Sequence, residues 1–536
     1  MKCNSTELNA NSFVNQFQNN FINSADNRQS YDKCMDYLYN TEPCGSNLEF
    51  LVSDIENAAK RLNLSNTLDC DLLNVRHILY AHPCIYVLLK LLYRNMLLLG
   101  IVPDRFGHSV ITPVIKSYNK SFNDSSNYRP INIVPTVAKV FESVLVSYID
   151  KYVTPHKNQF GFVKNGGCNK AVFSFYSTVK YFRNKHSNVY FCSLDATKAF
   201  DRINHFYLLS CLRDNGLPPD LIRVFHSWLR NMKSCVSWGN ECSSFFNVMS
   251  GIQQGSLLGP KFFNLVMDKL LDLLEFNKLG CYVGGEFAGA FAYADDLIVL
   301  SSSVMQLQCI LNLCCEFGKN CDLTFNIDKS CCGCIGIPIS IKQPVFVLDG
   351  KVLRWADSFC YLGVNFLVGS CLKVDCKPRI QKFISSVCSV LHHKVKGYES
   401  IFADILIKKC LPVLTYGLEC CMLDTVSLNS VNRAWNMAFK WLFNLKKYDS
   451  TRLLFLSCNT MSLSYLLSYR SLSFFLALRC YNNKLIHNLL ISCVFNDKSV
   501  KNLFNEYNLC PYQIVHKDIV SNVRRNFENY CNEILD

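Results

Sequence analysis

Two adjacent carboxylates, Asp295 and Asp296, interrupt an apolar stretch that runs through residues 291–300. Both flanks are short and rich in strand-forming residues, so the stretch predicts a strand, a tight acidic turn and a second strand. Two carboxylates between buried strands are costly to keep ionised unless a cation or a hydrogen-bond donor compensates them. A divalent metal ion is the usual compensation. A solvent-facing Asp-Asp hairpin turn is the alternative that this stretch alone leaves open.

A third acid, Asp195, closes a second apolar stretch, which predicts a buried strand over residues 189–194. The helix that follows can be capped by Asp201 or Asn204, so Asp201 has a structural explanation. Asp195 has no comparable explanation, because it does not lie at the start of that helix. A buried carboxylate at the end of a strand needs a partner.

Two cations precede these acids on a predicted strand, loop and strand. Lys116 ends the first strand, and Arg129 begins the second. A guanidinium forks onto phosphate oxygens and an ammonium acts as a point charge, so this pair suits a triphosphate. A pair of solvated surface cations is the alternative.

A polar, glycine-rich loop at residues 250–259 contains Gln254 and Gly255 and leads into a long amphipathic helix, predicted to begin near Pro260. Glycine in a loop at a helix N-terminus permits close approach of a ligand. Ordinary turns also use such glycines, so the loop alone is a weak signal.

The elements that must position these residues are only partly specified. Residues 1–60 predict one short amphipathic helix and a polar linker without chemistry, and residues 72–99 predict a long supporting helix. Asn326 and Lys329 lie in a strand-like stretch. A β-hairpin is predicted around Asp349, and helices with interleaved basic residues are predicted from about residue 380 onward.

Composition restricts the class of protein. A chain of 536 residues exceeds one ordinary core, and its formal net charge of +13 is what a polyanionic partner would select. Its 30 cysteines show no modular repeat, and the N-terminus has no apolar signal region, which predicts a reduced intracellular compartment and no secretion. The most apolar window, residues 84–102, is interrupted by Lys90, Arg94 and Asn95, which predicts a core helix and no association with a membrane.

Short motifs occur in the order and spacing of a known family: YRPI at 128–131, QFGF at 159–162, LDATKAFD at 194–201, IQQGSLLGP at 252–260, YADD at 293–296, NIDKS at 326–330 and YLG at 361–363. Over roughly residues 72–416 the chain resembles the reverse transcriptases of non-LTR retrotransposons, and more distantly those of group II introns and retroviruses.

The resemblance implies an α+β fold shaped as a right hand, with fingers, a palm built on a split βαβ sheet and a helical thumb. The expected domains are an N-terminal helical and linker segment at 1–70, fingers and associated helices at 71–188, a palm with the catalytic motifs and the primer-grip hairpin at 189–366, a helical thumb at 367–479 and a C-terminal helical extension at 480–536.

The resemblance also implies that Asp195, Asp295 and Asp296 bind two Mg²⁺ ions, with Mn²⁺ as the alternative metal. Mg²⁺ prefers hard oxygen ligands, and a pair of ions activates the attacking hydroxyl and stabilises the leaving group. Asp295 ranks above Asp296, because neighbouring residues of a strand point to opposite faces. Lys329 resembles a catalytic lysine proposed to protonate pyrophosphate, and a solvated lysine is its alternative.

The remaining candidate residues also follow from the resemblance. Positions that match the family's deoxynucleotide site are Lys116, Arg129, Phe200, Gln254 and Gly255. Positions that match the primer grip are Tyr361, Leu362 and Gly363. Phe200 would clash with a ribose 2′-hydroxyl and so favour deoxynucleotides, and a core phenylalanine is the alternative.

Some features depart from the family. Leu257 and Gly259 stand where the family usually has Pro and Ser, which puts the stiffness of the loop in doubt. We find no endonuclease pattern before the first motif, no set of acids like that of RNase H and no Cys/His knuckle. The cysteines at 331, 332 and 334 lack a second pair at zinc spacing and are expected to serve packing. The sequence therefore predicts a polymerase module by itself.

The predicted function is RNA-directed DNA synthesis: extension of a DNA primer 3′-hydroxyl with dNTPs on an RNA template by two-metal nucleotidyl transfer. Nuclear or cytoplasmic residence follows from the family. One alternative is a catalytically silent scaffold that binds nucleic acid, against which the intact acids argue. Another is a maturase-like RNA-binding protein, for which residues 480–536 look too short.

Overall fold

The computed structural model describes residues 8–21, 28–41, 49–118, 120–336, 343–496, 498–509 and 516–532. The strands are β1 His108–Ile115, β2 Tyr128–Ile133, β3 Val189–Asp195, β4 Lys233–Trp238, β5 Glu241–Cys242, β6 Phe246–Asn247, β7 Tyr282–Val283, β8 Glu286–Phe287, β9 Ala290–Tyr293, β10 Asp296–Ser301, β11 Cys331–Ile335, β12 Val347–Leu348, β13 Lys351–Val352, β14 Arg354–Trp355, β15 Ser358–Tyr361, β16 Val364–Leu367 and β17 Lys373–Val374.

The helices are α1 Ala10–Gln18, α2 Arg28–Asn40, α3 Val52–Lys60, α4 Val75–Leu79, α5 Cys84–Leu99, α6 Thr136–Ile149, α7 Cys168–Asn184, α8 Ala199–Arg202, α9 His205–Asp214, α10 Pro219–Arg230, α11 Gly259–Phe276, α12 Val304–Cys321, α13 Lys377–His392, α14 Glu399–Ile405, α15 Leu411–Thr415, α16 Thr425–Leu442, α17 Arg452–Ser457, α18 Leu463–Arg479, α19 Lys484–Asn496, α20 Lys498–Glu506 and α21 His516–Asn532. Short 3₁₀ helices at Asp104–Gly107 and Ser125–Asn127 and a π-helical turn at Leu406–Cys410 accompany them. The expected α+β class is confirmed.

The chain forms two compact units, each built from separate stretches of sequence. Unit 1 comprises Met1–His156, Ala196–Asp272 and Leu313–Asn326, and unit 2 comprises Lys157–Asp195, Leu273–Asn312 and Ile327–Asp536.

Unit 1 contains a five-stranded sheet with the order β2-β1-β4-β5, in which β6 also pairs with β4. The β1–β2 pair is antiparallel and the β1–β4 pair is parallel. An aromatic cluster next to the sheet packs Phe141 against Tyr93, Phe106 and Trp228, with ring centroids 4.7 to 6.2 Å apart. This buried apolar area stabilises the strands and loops that carry the candidate nucleotide-binding residues.

Unit 2 contains a five-stranded sheet with the order β14-β11-β3-β10-β9. The strand β3 lies at its centre and pairs antiparallel with both β10 and β11. Its residues Val189 to Cys192 are all buried, as expected for a strand covered on both faces. Phe191 stacks on Phe359 with centroids 4.5 Å apart, and Phe175 of α7 packs edge-on against the same ring.

Several sequence predictions of local structure were wrong. The long helix predicted over 72–99 is divided into α4 and α5, and Pro83 stands at the break, where a proline terminates helical hydrogen bonding. The predicted linker before residue 60 contains the helices α2 and α3. Lys329 lies in a turn before β11 rather than within a strand.

Candidate active site

The acidic residues of unit 2 lie at one end of its sheet. In the antiparallel pair of β3 and β10, Asp195 is directly opposite Asp296. In the neighbouring pair of β9 and β10, Tyr293 is opposite Asp296. Residues directly opposite each other in such pairs present their side chains on the same face, with Cβ atoms about 4.5–5.5 Å apart. The two carboxylates and the tyrosine therefore share one face.

The turn between β9 and β10 consists of Ala294 and Asp295, and Ala294 has a φ of +55°. The QFGF motif supports this turn, because Gln159 Oε1 accepts hydrogen bonds from Ala294 N at 3.1 Å and Gly161 N at 3.0 Å. A Cβ on Gly161 would lie 2.5 Å from Ala294 N, so only glycine fits there. Gln159, which is 135 residues before Ala294, thus helps to hold the backbone turn that carries the acids.

A cation lies beside the same acids. Lys329 Nζ is 3.0 Å from Asp195 Oδ2, and Ser330 Oγ accepts a hydrogen bond from Asp195 N at 3.2 Å. The lysine side chain is 66% exposed and that of Asp195 is 32% exposed, so solvent screens the pair and its net contribution to stability is small.

Burial and neighbouring carboxylates raise the pKa of Asp296. Loss of hydration, and next the carboxylates of Asp295 and Asp195, raise the pKa of Asp296 to about 6, and the ammonium of Lys329 opposes the shift. Crowded carboxylates are hard oxygen donors, and a divalent cation would relieve the repulsion that raises the pKa of Asp296, so these residues fit such an ion. Within the described part of the chain, however, no group of three or more His, Cys, Asp and Glu side chains is arranged to hold one metal ion.

The three candidate primer-grip residues differ in exposure. The ring of Tyr361 is buried against Phe175, and its hydroxyl is 3.5 Å from the carbonyl of Phe291, so this side chain belongs to the core. Leu362 and Gly363, with φ values of +47° and +79°, form the turn that follows it and reach the surface. Any contact with a ligand at this motif would come from the turn.

Lys116 and Arg129 lie in unit 1, where β1 and β2 pair side by side. Both side chains are exposed. The backbone N–H of Lys116 donates to the carbonyl of Asn127 at 2.7 Å, and its Nζ donates to the carbonyl of Ser126 at 2.9 Å. Arg129 therefore lies on β2 and Lys116 directly follows β1, and both side chains are exposed to solvent.

The glycine-rich loop of unit 1 is tied to the segment around Phe200. Ile252 N donates to the Phe200 carbonyl at 2.7 Å, and the Phe200 ring stacks on Phe263 of α11 with centroids 4.4 Å apart. The carbonyl of Gln254 accepts from Asn132 N at 2.7 Å. These contacts hold Phe200 and Gln254 in fixed relation to β2.

Gly255 occupies a position that only glycine can take. Its φ is +139°, and a Cβ there would lie 2.2 Å from the carbonyl oxygen of Asn132. The loop therefore passes in contact with the β2 backbone, although Leu257 and Gly259 replace the family's Pro and Ser.

Asp201 has a larger role than the sequence indicated. Asn204, not Asp201, caps α9 by accepting from two backbone N–H groups at the start of that helix. Asp201 is 3% exposed, and its carboxylate accepts from Gln254 Nε2 at 2.7 Å and Asn20 Nδ2 at 3.3 Å. Burial raises the pKa of this carboxyl to about 6, against the opposing effects of Gln254, Lys198 and other neighbours. Its partners are distant in sequence, so no local signal reveals them.

A second buried acid supports the same loop from α6. Glu142 is 3% exposed and accepts from Ser256 Oγ at 2.5 Å and Leu257 N at 2.8 Å. Burial raises the pKa of this carboxyl to about 7, and the two hydrogen bonds and Lys139 oppose the shift. A glutamate among the apolar residues of that helix was the available sequence signal.

Comparison with known proteins assigns the family. A family model described as "Reverse transcriptase (RNA-dependent DNA polymerase)" matches residues 118–366, a range that includes the acids of unit 2 and the glycine-rich loop of unit 1. This part of the chain belongs to the reverse transcriptase family.

The similar proteins belong to retrotransposable and mobile elements. The chain is 28% identical over 262 residues to the "Retrovirus-related Pol polyprotein from type-2 retrotransposable element R2DM" of Drosophila melanogaster, covering 47% of this chain and 24% of that protein. It is 24% identical over 393 residues to the "RNA-directed DNA polymerase from mobile element jockey" of the same organism, covering 69% and 41%. The chain thus spans less than half the length of these relatives. The resemblance to non-LTR retrotransposon reverse transcriptases is confirmed.

Among solved structures, the chain is similar to telomerase from Candida albicans in complex with a fragment of telomeric RNA, with a TM-score of 0.39, 11% identity and coverage of 82% of this chain and 69% of that one. Apo telomerase from Candida tropicalis gives a TM-score of 0.38 at 11% identity, with coverage of 90% and 87%. As for membranes, the helices of the described residues include none that is both long and apolar enough to span a bilayer.

Proposed function

We propose that this chain is an RNA-directed DNA polymerase of a non-LTR retrotransposon, which extends a primer 3′-hydroxyl with dNTPs on an RNA template. The observation that carries the proposal is the register of β3 and β10, in which Asp195 and Asp296 face each other beside the Asp295 turn. Structural proteins rarely oppose two carboxylates at a sheet end, because like charges directly opposite destabilise the pair. A cation-dependent reaction accounts for that cost.

Asp195, Asp295 and Asp296 would hold two Mg²⁺ ions, or Mn²⁺ in their place, and these ions would supply activation of the primer hydroxyl and neutralisation of the pyrophosphate charge. Lys329, whose ammonium is 3.0 Å from Asp195 Oδ2, would hold the proton delivered to the leaving group. The turn at Leu362 and Gly363 would support the primer strand.

The nucleotide would be bound by residues of unit 1. Lys116 and Arg129 would bind the triphosphate, since both cations are exposed, with Arg129 on β2 and Lys116 directly after β1. Phe200, held against Phe263, would exclude a ribose 2′-hydroxyl, and Gln254 with Gly255 would contact the nascent base pair. The protein contributes orientation and charge, which account for most of the catalysis of phosphoryl transfer.

The same proposal includes the right-hand arrangement. Residues 71–188 would form the fingers, 189–366 the palm and 367–479 the thumb, with flanking segments at 1–70 and 480–536. The RNA template and DNA primer would be gripped through phosphates without sequence reading, and the protein would act inside the cell, in the nucleus or cytoplasm.

The test is primer extension by the purified chain on an RNA template with an annealed DNA primer, Mg²⁺ and dNTPs. We expect extension by the wild type, and a loss of at least about a thousandfold with Asp195→Asn or Asp295→Asn, because each substitution removes a charged oxygen ligand. Asp349→Asn is the matched control, since Asp349 lies at the exposed turn of the hairpin β12–β13 with a φ of +47°.

Extension that survives Asp195→Asn and Asp295→Asn would overturn the proposal. Binding of the primer and template without extension at any Mg²⁺ or Mn²⁺ concentration would favour the catalytically silent scaffold.

A further inference from the structure

The N-terminal helix α1 is integrated into unit 1. Its Phe13 ring packs with centroids 5.0 Å from Tyr128 and 4.8 Å from Trp238, which lie on two strands of the sheet. Phe17 is buried beside it. Just after the helix, the carbonyl of Phe21 accepts a hydrogen bond from Met249 N at 3.1 Å. These contacts fix the segment that follows α1 against the start of the glycine-rich loop.

That segment contains a buried amide, Asn20, which is 4% exposed. Its Nδ2 donates to Asp201 Oδ2 at 3.3 Å, and its Oδ1 accepts from Lys198 Nζ at 2.5 Å. The other oxygen of Asp201 accepts from Gln254 Nε2 at 2.7 Å. Each carboxylate oxygen of Asp201 is therefore held by a different amide, one from the glycine-rich loop and one from the N-terminal segment.

The backbone at Asp201 and Phe200 is hydrogen-bonded to the glycine-rich loop. Its carbonyl accepts from Ser250 Oγ at 3.3 Å, and it directly follows Phe200, whose carbonyl accepts from Ile252 N. A buried carboxylate that loses one partner must rotate, take up water or become protonated, since an unsatisfied buried acceptor is costly. Any of these changes would disturb the bond to Gln254.

We propose that Asn20 is a positioning residue for deoxynucleotide binding, acting through Asp201 on Gln254. The inference rests on the proposed polymerase function, and it assigns the N-terminal segment, in which the sequence predicted no chemistry, a role in the nucleotide site. Asn20 itself would not touch the nucleotide. Its contribution would be to keep Asp201 oriented so that the Gln254 side chain stays in place before the nucleotide arrives.

The experiment titrates one dNTP in steady-state primer extension with the full chain and compares Asn20→Ala and Asn20→Asp with Asn19→Ala. Asn19 is the neighbouring residue of the same type, and its side chain is exposed. We expect both substitutions of Asn20 to raise the KM for the dNTP about tenfold with kcat changed less than about threefold, and Asn19→Ala to match the wild type. Asn20→Asp keeps the size of the side chain but places a second carboxylate beside Asp201.

A double-substitution cycle with Gln254→Ala provides the second measurement. If Asn20 acts through Asp201 and Gln254, Asn20→Ala should raise the KM much less in the Gln254→Ala background than in the wild type. A wild-type KM in both Asn20 variants would overturn the role of Asn20 but not the proposed polymerase function. The same holds if the increases in KM caused by Asn20→Ala and Gln254→Ala multiply fully in the double variant. A wild-type chain that extends no primer would overturn it together with the proposed function.

Discussion

At the scale of single residues, the pairing of Asp195 opposite Asp296 explains how three acids from two motifs are kept at one end of the sheet. Burial, and next the carboxylates of Asp295 and Asp195, raise the pKa of Asp296, and the ammonium of Lys329 opposes that rise. An exposed lysine is displaced more cheaply than a buried one. The exposed lysine thus partly neutralises the acids in the folded protein and leaves them accessible to a metal cation.

Gly255 provides a test of the loop at the same scale. Gly255→Ala would place a Cβ 2.2 Å from the Asn132 carbonyl at a φ that alanine strongly disfavours, so the loop must leave β2. We expect a loss of about 2–4 kcal/mol in the free energy of unfolding, measured by chemical denaturation, and a rise in the KM for dNTPs.

Gly216→Ala is the matched control, since Gly216 also has a positive φ, of +78°, and has nothing within 4 Å of its added Cβ. This substitution should lower the free energy of unfolding by about 1 kcal/mol, which is the cost of placing alanine at a positive φ without any steric clash. Equal losses at the two positions would show that the contact with Asn132 is unimportant.

At the scale of elements, short apolar stretches indicated the strands but not their pairing. The hairpin around Asp295 and the strand ending at Asp195 followed from local pattern. That Asp296, rather than Asp295, faces Asp195 depends on the register between two strands about 100 residues apart, which no local pattern encodes. Pro83 is a local signal for the break between α4 and α5, because proline disfavours a continuous helix. The helix predicted over 72–99 followed the apolar periodicity on either side of this proline.

The contact between α6 and the glycine-rich loop makes stability depend on pH. Because burial raises the pKa of Glu142 to about 7, the folded state keeps its proton between about pH 4.5 and 7, while the unfolded state releases it. The free energy of unfolding should therefore fall as pH rises through this window, by up to about 3 kcal/mol.

Glu142→Gln should remove that decline, because the amide stays neutral at every pH and still accepts from Leu257 N. Urea denaturation at pH 5 and pH 8 measures the effect, with Glu56→Gln on the exposed face of α3 as the control. If the variant and the wild type show the same pH dependence, Glu142 is ionised in the folded state and the assignment fails.

At the scale of the whole molecule, short motifs indicated the family, but no local pattern indicated which distant residues would meet. The family model matches residues 118–366, a range that contains all seven motifs. The contact of Asn20 with Asp201 joins residues 181 positions apart and uses side chains common in turns, so only the fold reveals it. Glu142 is conspicuous in its apolar helix, but its partners lie more than 100 residues away, so the sequence did not reveal them.

The net charge of +13 leads to a prediction for nucleic-acid binding by the proposed thumb. Lys377 and Lys382 are exposed on α13, where they would contact phosphates, and each phosphate contact adds about 0.7–0.9 to the slope of log affinity against log salt concentration. The double variant Lys377→Ala/Lys382→Ala should weaken binding of different sequences equally and reduce the slope by about 1.4–1.8, as measured by fluorescence anisotropy at several salt concentrations. The control pair, Lys60→Ala/Lys501→Ala, removes the same charge from exposed positions outside the thumb and should leave most of the slope intact. Identical slopes for the two double variants would mean that net charge alone, and not a thumb surface, determines binding.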